Sequence, residues 1–241
     1  MVVREPAGQA VLQARGLTKA FGSVLAVSDL DLAVVAGSVH ALLGPPASGK
    51  TTVLNLVSGY LVPDSGEVLV DGLDVSGLDP EQLVRRGVAR CFAIAGLFAA
   101  LPVADYVRLV LDRSRAASAT DLGVDAVLAR AGLGDLGAAS LGSLRAVPSR
   151  ALEVALTLAS DPRVVILDEP SAGLSPPEVE RLAGVLAHGC QGRAVLLADH
   201  NLRLVAALAD TVSVLRAGQV VAHGTYAEVR REALLAAYED P

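Results

Sequence analysis

The short strand-like run Val39–Leu43 leads directly into Gly44-Pro45-Pro46-Ala47-Ser48-Gly49-Lys50-Thr51, and a helix-compatible stretch from Lys50 to about Ser58 follows. Few features constrain a chain as tightly. The loop satisfies the pattern G-x-x-x-x-G-K-[ST], and a strand before it with a helix after it is the context that gives the pattern meaning. The chemistry behind it is that of a multiply charged phosphate. Backbone N–H groups of such a loop, and of the helix N-terminus it opens, converge on the anion with the positive end of the helix dipole behind them. Lys50 is then placed to reach the β- and γ-phosphates, and Thr51 to put its hydroxyl on Mg²⁺. Lysine is otherwise almost absent: 18 of the 20 basic residues are Arg, and the only other lysine is Lys19. A compact ammonium suits a phosphate cradle in a way that a planar guanidinium does not.

A second segment belongs with the first. Val164-Val165-Ile166-Leu167-Asp168-Glu169 is four apolar residues ending in two acids. A buried strand here delivers Asp168 to the metal that accompanies the phosphates. Glu169, one residue further on, is placed to orient or deprotonate an attacking water.

Around these motifs, short apolar runs alternate with helical patterns. Strands are expected at Leu30–Val35, Val39–Leu43, Val164–Leu167 and Ala194–Ala198, with helices at Pro176–Ala187 and Leu202–Leu208. Gly66–Val70 and Leu73–Val75 around Asp71-Gly72 read as a hairpin, and so do Thr211–Arg216 and Gln219–His223. Asp79-Pro80-Glu81 reads as a helix start. Such alternation predicts an α/β fold with a mostly parallel sheet and antiparallel N-terminal strands. From Ala104 to Ser160 only helical spacing remains. The expected organisation is one domain over 1–241, with a core of 1–93 and 161–241 and a helical subdomain at 94–160.

Composition excludes several classes. Aromatics are 3% with no Trp, and the net charge is −6, so neither base stacking on aromatics nor phosphate-backbone binding fits; no nucleic-acid partner is expected. Cys91 and Cys190 are too few for a disulfide framework or zinc site. The opening MVVREPAGQA has no apolar signal-peptide stretch. The longest run free of charged residues and histidine, Cys91–Ala104, is fourteen residues and contains Pro102. That is short of the ~20 a membrane span needs.

In order, the phosphate loop, a helical insertion, Asp168-Glu169-Pro170, Ser171-Ala172-Gly173-Leu174-Ser175 and Ala198-Asp199-His200-Asn201 resemble the landmarks of ATP-binding-cassette (ABC) transporter ATPases. The resemblance implies ATP with Mg²⁺ as cofactors, nucleotide contacts from Gly44 through Thr52, metal contacts from Thr51 and Asp168, and His200 on the γ-phosphate. Phe21 matches the family's adenine-stacking aromatic, although a core aromatic fits the chemistry almost as well. Thr51–Gly59, Pro63–Val68, Gly87–Phe92, Leu152–Ala155 and Ala237-Tyr238 are most similar to the ATPase subunits of branched-chain amino acid importers. The implied partners are membrane permease subunits and a second ATPase, with the chain peripheral at the cytoplasmic face of the cell membrane. Phe92–Leu101 falls where that family docks on its permease, and reads equally as ordinary core.

Four motifs depart from the family pattern. Ala93 stands where the family has the glutamine of its Q-loop, and Leu144-Arg145-Ala146-Val147-Pro148 stands where its signature L-S-G-G-Q falls. Pro46 and Ala47 replace a polar residue and a glycine in the phosphate loop, and Ser175 replaces an acid or amide. In the family each site combines one chain's phosphate loop with the other chain's signature, so these losses imply a heterodimer with an intact partner ATPase. The alternative is a nucleotide-binding regulatory subunit that does not hydrolyse ATP. An exporter ATPase, or a soluble family member acting on DNA or ribosomes, fits less well with a single acidic cassette.

Overall fold

The structure is a computed structural model that describes residues 9–91, 98–115 and 123–229. Ala93, most of Phe92–Leu101, and Ala237-Tyr238 lie outside the described residues.

Two sheets make the frame. The first is antiparallel, with β1 (Ala10–Phe21) between β2 (Val24–Val35) and β4 (Ser65–Val70), and β5 (Leu73–Asp74) at its edge. Asp71 and Gly72 both take positive φ, 51° and 78°, which is the tight-turn geometry expected of an Asp-Gly pair. The second sheet has six strands in the order β10-β9-β3-β8-β7-β6: β3 (Val39–Leu43), β6 (Val88–Cys91), β7 (Val164–Asp168), β8 (Ala194–Ala198), β9 (Thr211–Arg216) and β10 (Gln219–Gly224). All its pairings are parallel except β9 with β10.

The parallel strands are mostly apolar because both of their faces are covered. Successive residues enter opposite cores. Leu42, Ile166 and Leu196 pack toward the antiparallel sheet and α1 (Lys50–Val57). Their neighbours Ala41, Leu43, Val165, Leu167, Val195 and Leu197 pack on the other face. That face is covered by α5 (Ala146–Leu158), α6 (Pro176–Gly189) and α7 (Leu202–Leu208). Between β6 and β7 the chain leaves the sheet for α3 (Val103–Arg115), α4 (Val124–Arg130) and α5, which share a third cluster around Val107, Val127 and Leu152.

The helix starts follow local chemistry. The short α2 (Pro80–Arg85) is capped reciprocally: Gln82 N–H donates to Asp79 Oδ1 at 2.8 Å, and Asp79 N–H donates to Gln82 Oε1 at 3.0 Å. Ser175, the last of the family departures, starts α6; its N–H and Oγ donate to Glu178 Oε2 at 2.9 and 2.6 Å.

Two strands were hidden by their own chemistry. The β1–β2 pairing carries four register shifts, between Ala10 and Leu12, Ala14 and Leu17, Leu17 and Lys19, and Lys19 and Ala20. Each bulge breaks the period-two alternation that marks a strand in sequence. β6 has only four residues, and Arg90 interrupts its apolar run.

Candidate nucleotide site

The sheet brings the sequence motifs to one edge. Leu42 on β3 and Asp168 on β7 both register with Ala198, the last residue of β8. The loops that follow these three strands therefore open side by side beyond their carboxyl ends, where ligands of open α/β sheets bind. They carry Gly44–Gly49, Glu169 and His200.

The phosphate loop is held by two glycines that nothing larger could replace. Gly44 has φ +148°, and a Cβ there would lie 2.2 Å from Leu215 O. Gly49, the residue before α1, has φ +106°, and its Cβ would lie 2.5 Å from Ala26 O on β2. Ala47 takes φ +62°, the left-handed conformation that makes an alanine strained there. Pro46 contributes no N–H. Pro46 and Ala47 are exposed, whereas Ser48 and Lys50 are buried.

Lys50 Nζ donates to Gly44 O at 2.7 Å, Pro45 O at 2.9 Å and Ser48 Oγ at 3.3 Å, so its ammonium is held within the loop. Burial pulls its pKa below the usual lysine value, while the nearby Glu169 and Asp168 oppose that pull. Thr51 is exposed and Thr52 half-buried on the first turn of α1.

Thr51, Asp168 and Glu169 line one cavity of about 360 Å³ with Cys91, Arg150 and Glu153. A hydroxyl and carboxylates around one space are the oxygen donors that a hard cation such as Mg²⁺ takes, so the residues fit the metal. Glu169 has φ +43°, an uncommon backbone state for a long side chain, and its N–H donates to Ala198 O at 2.7 Å. His200 is exposed, with Nδ1 at 3.9 Å from Glu169 Oε1. Phe21 is 49% exposed beside the β1–β2 turn, which rules out the core-aromatic reading. Lys19 lies 6.0 Å from the centroid of its ring.

Arg150, Glu153 and Val154 of α5 line this cavity; Arg145 precedes that helix, and Ala146, Val147 and Pro148 form its first turn. Pro148 offers no N–H there.

Two residues that sequence reasoning did not single out shape this edge. Asp199 is fully buried; its Oδ2 accepts from Ser171 N–H at 3.0 Å, and its Oδ1 from Ser171 Oγ at 2.7 Å and Asn201 N–H at 2.8 Å. It thus ties the loop after Glu169 to the loop bearing His200. Arg90 on β6 pairs with Asp168 at 2.7 Å. The available signal was a polar residue ending an apolar strand for Asp199, and a charge inside one for Arg90. Both cysteines are free thiols, with burial pushing Cys91 up to about 12 and Cys190 up to about 11.

A parallel sheet with a phosphate loop after one strand and an acidic pair after a neighbouring strand defines a P-loop nucleoside triphosphatase. The chain belongs to the ABC transporter family, whose model matches residues 27–172. It is an ATP-binding subunit of the kind that hydrolyses ATP to drive transport, working with membrane permease subunits. It is 30% identical over 238 residues to the high-affinity branched-chain amino acid transport ATP-binding protein BraF of Pseudomonas aeruginosa, covering 91% of this chain and 93% of that one. It is equally similar, at 31% over 226 residues, to the lipopolysaccharide export ATP-binding protein LptB of Escherichia coli K12, covering 92% and 94%. The fold superposes on the ADP conformation of MJ1267, an ATP-binding cassette of an ABC transporter, with a TM-score of 0.86. That match covers 97% of this chain and all of MJ1267 at 23% identity. No helix among the described residues is long and apolar enough to cross a membrane.

Proposed function

We propose that this chain binds Mg-ATP at the sheet edge and hydrolyses it when a second, intact ABC ATPase completes the site. The observation that carries this reading is an asymmetry. Lys50, Thr51, Asp168, Glu169 and His200 converge at one edge, whereas the start of α5 presents Arg145, Ala146, Val147 and Pro148. Gly44 through Thr52 would wrap the phosphates, with Phe21 against the base. Lys50 would turn from the loop carbonyls to the β- and γ-phosphates. Thr51 and Asp168 would hold the magnesium, which supplies neutralising charge to the phosphates when bound. Glu169 accepts the proton of the attacking water, and His200 donates a hydrogen bond to the γ-phosphate.

The site offered in return is poor. An arginine, an alanine, a valine and a proline replace a serine, two glycines and a glutamine, so a symmetric pair of these chains would contain two weak sites. Brisk ATP hydrolysis by the purified chain alone, abolished by Glu169→Gln, would contradict the heterodimer. Turnover that appears only on mixing with an intact partner, and is lost with Glu169→Gln, supports it.

Similarity to BraF supports import of branched-chain or related amino acids, at the cytoplasmic face of the membrane beneath the permease. Similarity to LptB at the same level makes uptake of labelled leucine by the reconstituted complex the deciding measurement. A second reading, a regulatory subunit that binds ATP without hydrolysing it, is favoured by Pro148 in the first turn of α5 and by Ala93. ATP binding without turnover, even beside the partner, selects it.

A further inference from the structure

We infer that Arg90 is the internal counter-charge of Asp168, and that it keeps this carboxylate from holding a divalent cation until a nucleotide brings one; this rests on the Mg-ATP site proposed above. Arg90 lies on β6, in register with Ile166 of β7, two residues before Asp168. Its guanidinium works as a fork. Nη2 donates to Asp168 Oδ2 at 2.7 Å, while Nη1 donates to Asn55 Oδ1 at 2.6 Å and to Ser58 Oγ at 3.2 Å. Asn55 lies in α1, the helix that Lys50 and Thr51 begin, and Ser58 is the residue that caps its C-terminus. Tyr60 adds its ring 5.7 Å from Cζ. The Arg90 side chain is only 8% exposed, so its charge is poorly screened by solvent.

Two effects of this pair oppose each other. An outer partner that orients a metal ligand commonly raises metal affinity 10–100-fold. A guanidinium on the same carboxylate also repels the cation, and repulsion between a unit charge and a divalent ion a few ångströms apart in a shielded site is the larger effect. Asp168 paired with Arg90 therefore has little net charge with which to hold a bare cation. ATP supplies the missing negative charge through its phosphates, so metal and nucleotide bind together. Arg90 meanwhile keeps the end of β7 fastened to the phosphate-loop helix. It is a positioning residue, since it acts through Asp168.

The test is Mn²⁺ binding to the nucleotide-free chain, read by the loss of the free-ion EPR signal. With the repulsion removed, Arg90→Gln is expected to bind Mn²⁺ about tenfold or more tightly than the wild type, and the gain should vanish in Arg90→Gln with Asp168→Asn. Arg90→Lys keeps the charge and should stay near the wild type. Asn55→Asp offers Arg90 a competing carboxylate and should tighten Mn²⁺ binding in the same direction, which decides the matter if Arg90→Gln does not fold. Affinity in both Arg90→Gln and Asn55→Asp equal to or weaker than wild type overturns the inference, as does a gain that survives Asp168→Asn. Failure of the underlying site looks different: ATP binding by the wild type would then be indifferent to added Mg²⁺.

Discussion

His40 makes the fold acid-sensitive at the strand that carries the phosphate loop. It sits on β3, 1% exposed, with Nδ1 at 3.1 Å from Ala33 O and Nε2 at 2.9 Å from Ser213 Oγ. The carbonyl can only accept, so Nδ1 bears the proton and Nε2 accepts from Ser213. Ser213 Oγ in turn accepts from His223 Nδ1 at 3.0 Å, and the two imidazoles stack 5.5 Å apart. Thr211 Oγ1, at 3.2 Å from Nδ1, completes the polar shell. Burial, with the neighbouring His223 adding to it, lowers the His40 pKa from 6.5 to about 3, against a smaller opposing effect of the Ala33 carbonyl. His223 is itself lowered by burial, against the pull of Glu228.

The sign follows directly. The unfolded chain takes up the proton near pH 6.5 and the folded chain only near pH 3. His40 thus costs nothing above pH 6.5, and stability drains away as pH falls through the window between the two values. Linkage over that window gives a loss of about 2 kcal/mol from this one residue between pH 7 and pH 5. The assay is urea unfolding of the wild type and His40→Asn at several pH values across that range. Asparagine keeps a donor for Ala33 O and cannot titrate. It should cost ~1–3 kcal/mol at neutral pH, because Ser213 loses its acceptor. It should also flatten the acid slope relative to wild type by about 2 kcal/mol. Parallel pH profiles for the two proteins would refute the reasoning.

Other outcomes follow from the same geometry. Gly49→Ala should abolish nucleotide binding and cost at least ~1–3 kcal/mol in urea unfolding, because its Cβ meets Ala26 O at 2.5 Å in a left-handed backbone. Ala47→Gly relieves the strain at φ +62° but frees the unfolded chain, so its unfolding free energy should change by no more than about 1 kcal/mol. Cys91 and Cys190 should react with a thiol reagent at pH 8 far more slowly than in the urea-unfolded chain, since both thiols are pushed well above that pH. Beside an intact partner ATPase, Asp199→Ala should lower kcat for ATP much more than it raises KM, because it loosens Ser171 and Asn201 without touching the phosphate loop.

Much of this was legible because the parallel strands are short, apolar and bounded by glycines, acids or turns. Val39–Leu43, Ala194–Ala198 and Leu202–Leu208 stand in the structure with the limits that the sequence indicates. The motif positions were readable because phosphate chemistry fixes both residue type and spacing. The bulged β1–β2 ribbon was only partly readable, since register shifts erase alternation. Arg90 and Asp199 escaped for another reason. Their significance lies in which strand ends become neighbours, Arg90 beside Asp168 and Asp199 beside Ser171, and such pairings are separated by 78 and 28 residues in sequence.

The account stands on Lys50 binding nucleotide phosphate at this sheet edge. Equilibrium binding of a fluorescent ATP analogue in Mg²⁺ to the purified chain and to Lys50→Ala tests it most directly. Saturable binding by the wild type, displaced by ATP and lost in Lys50→Ala while the variant still unfolds cooperatively, is the result predicted. Binding of equal strength in both proteins, or none in the folded wild type, would contradict it.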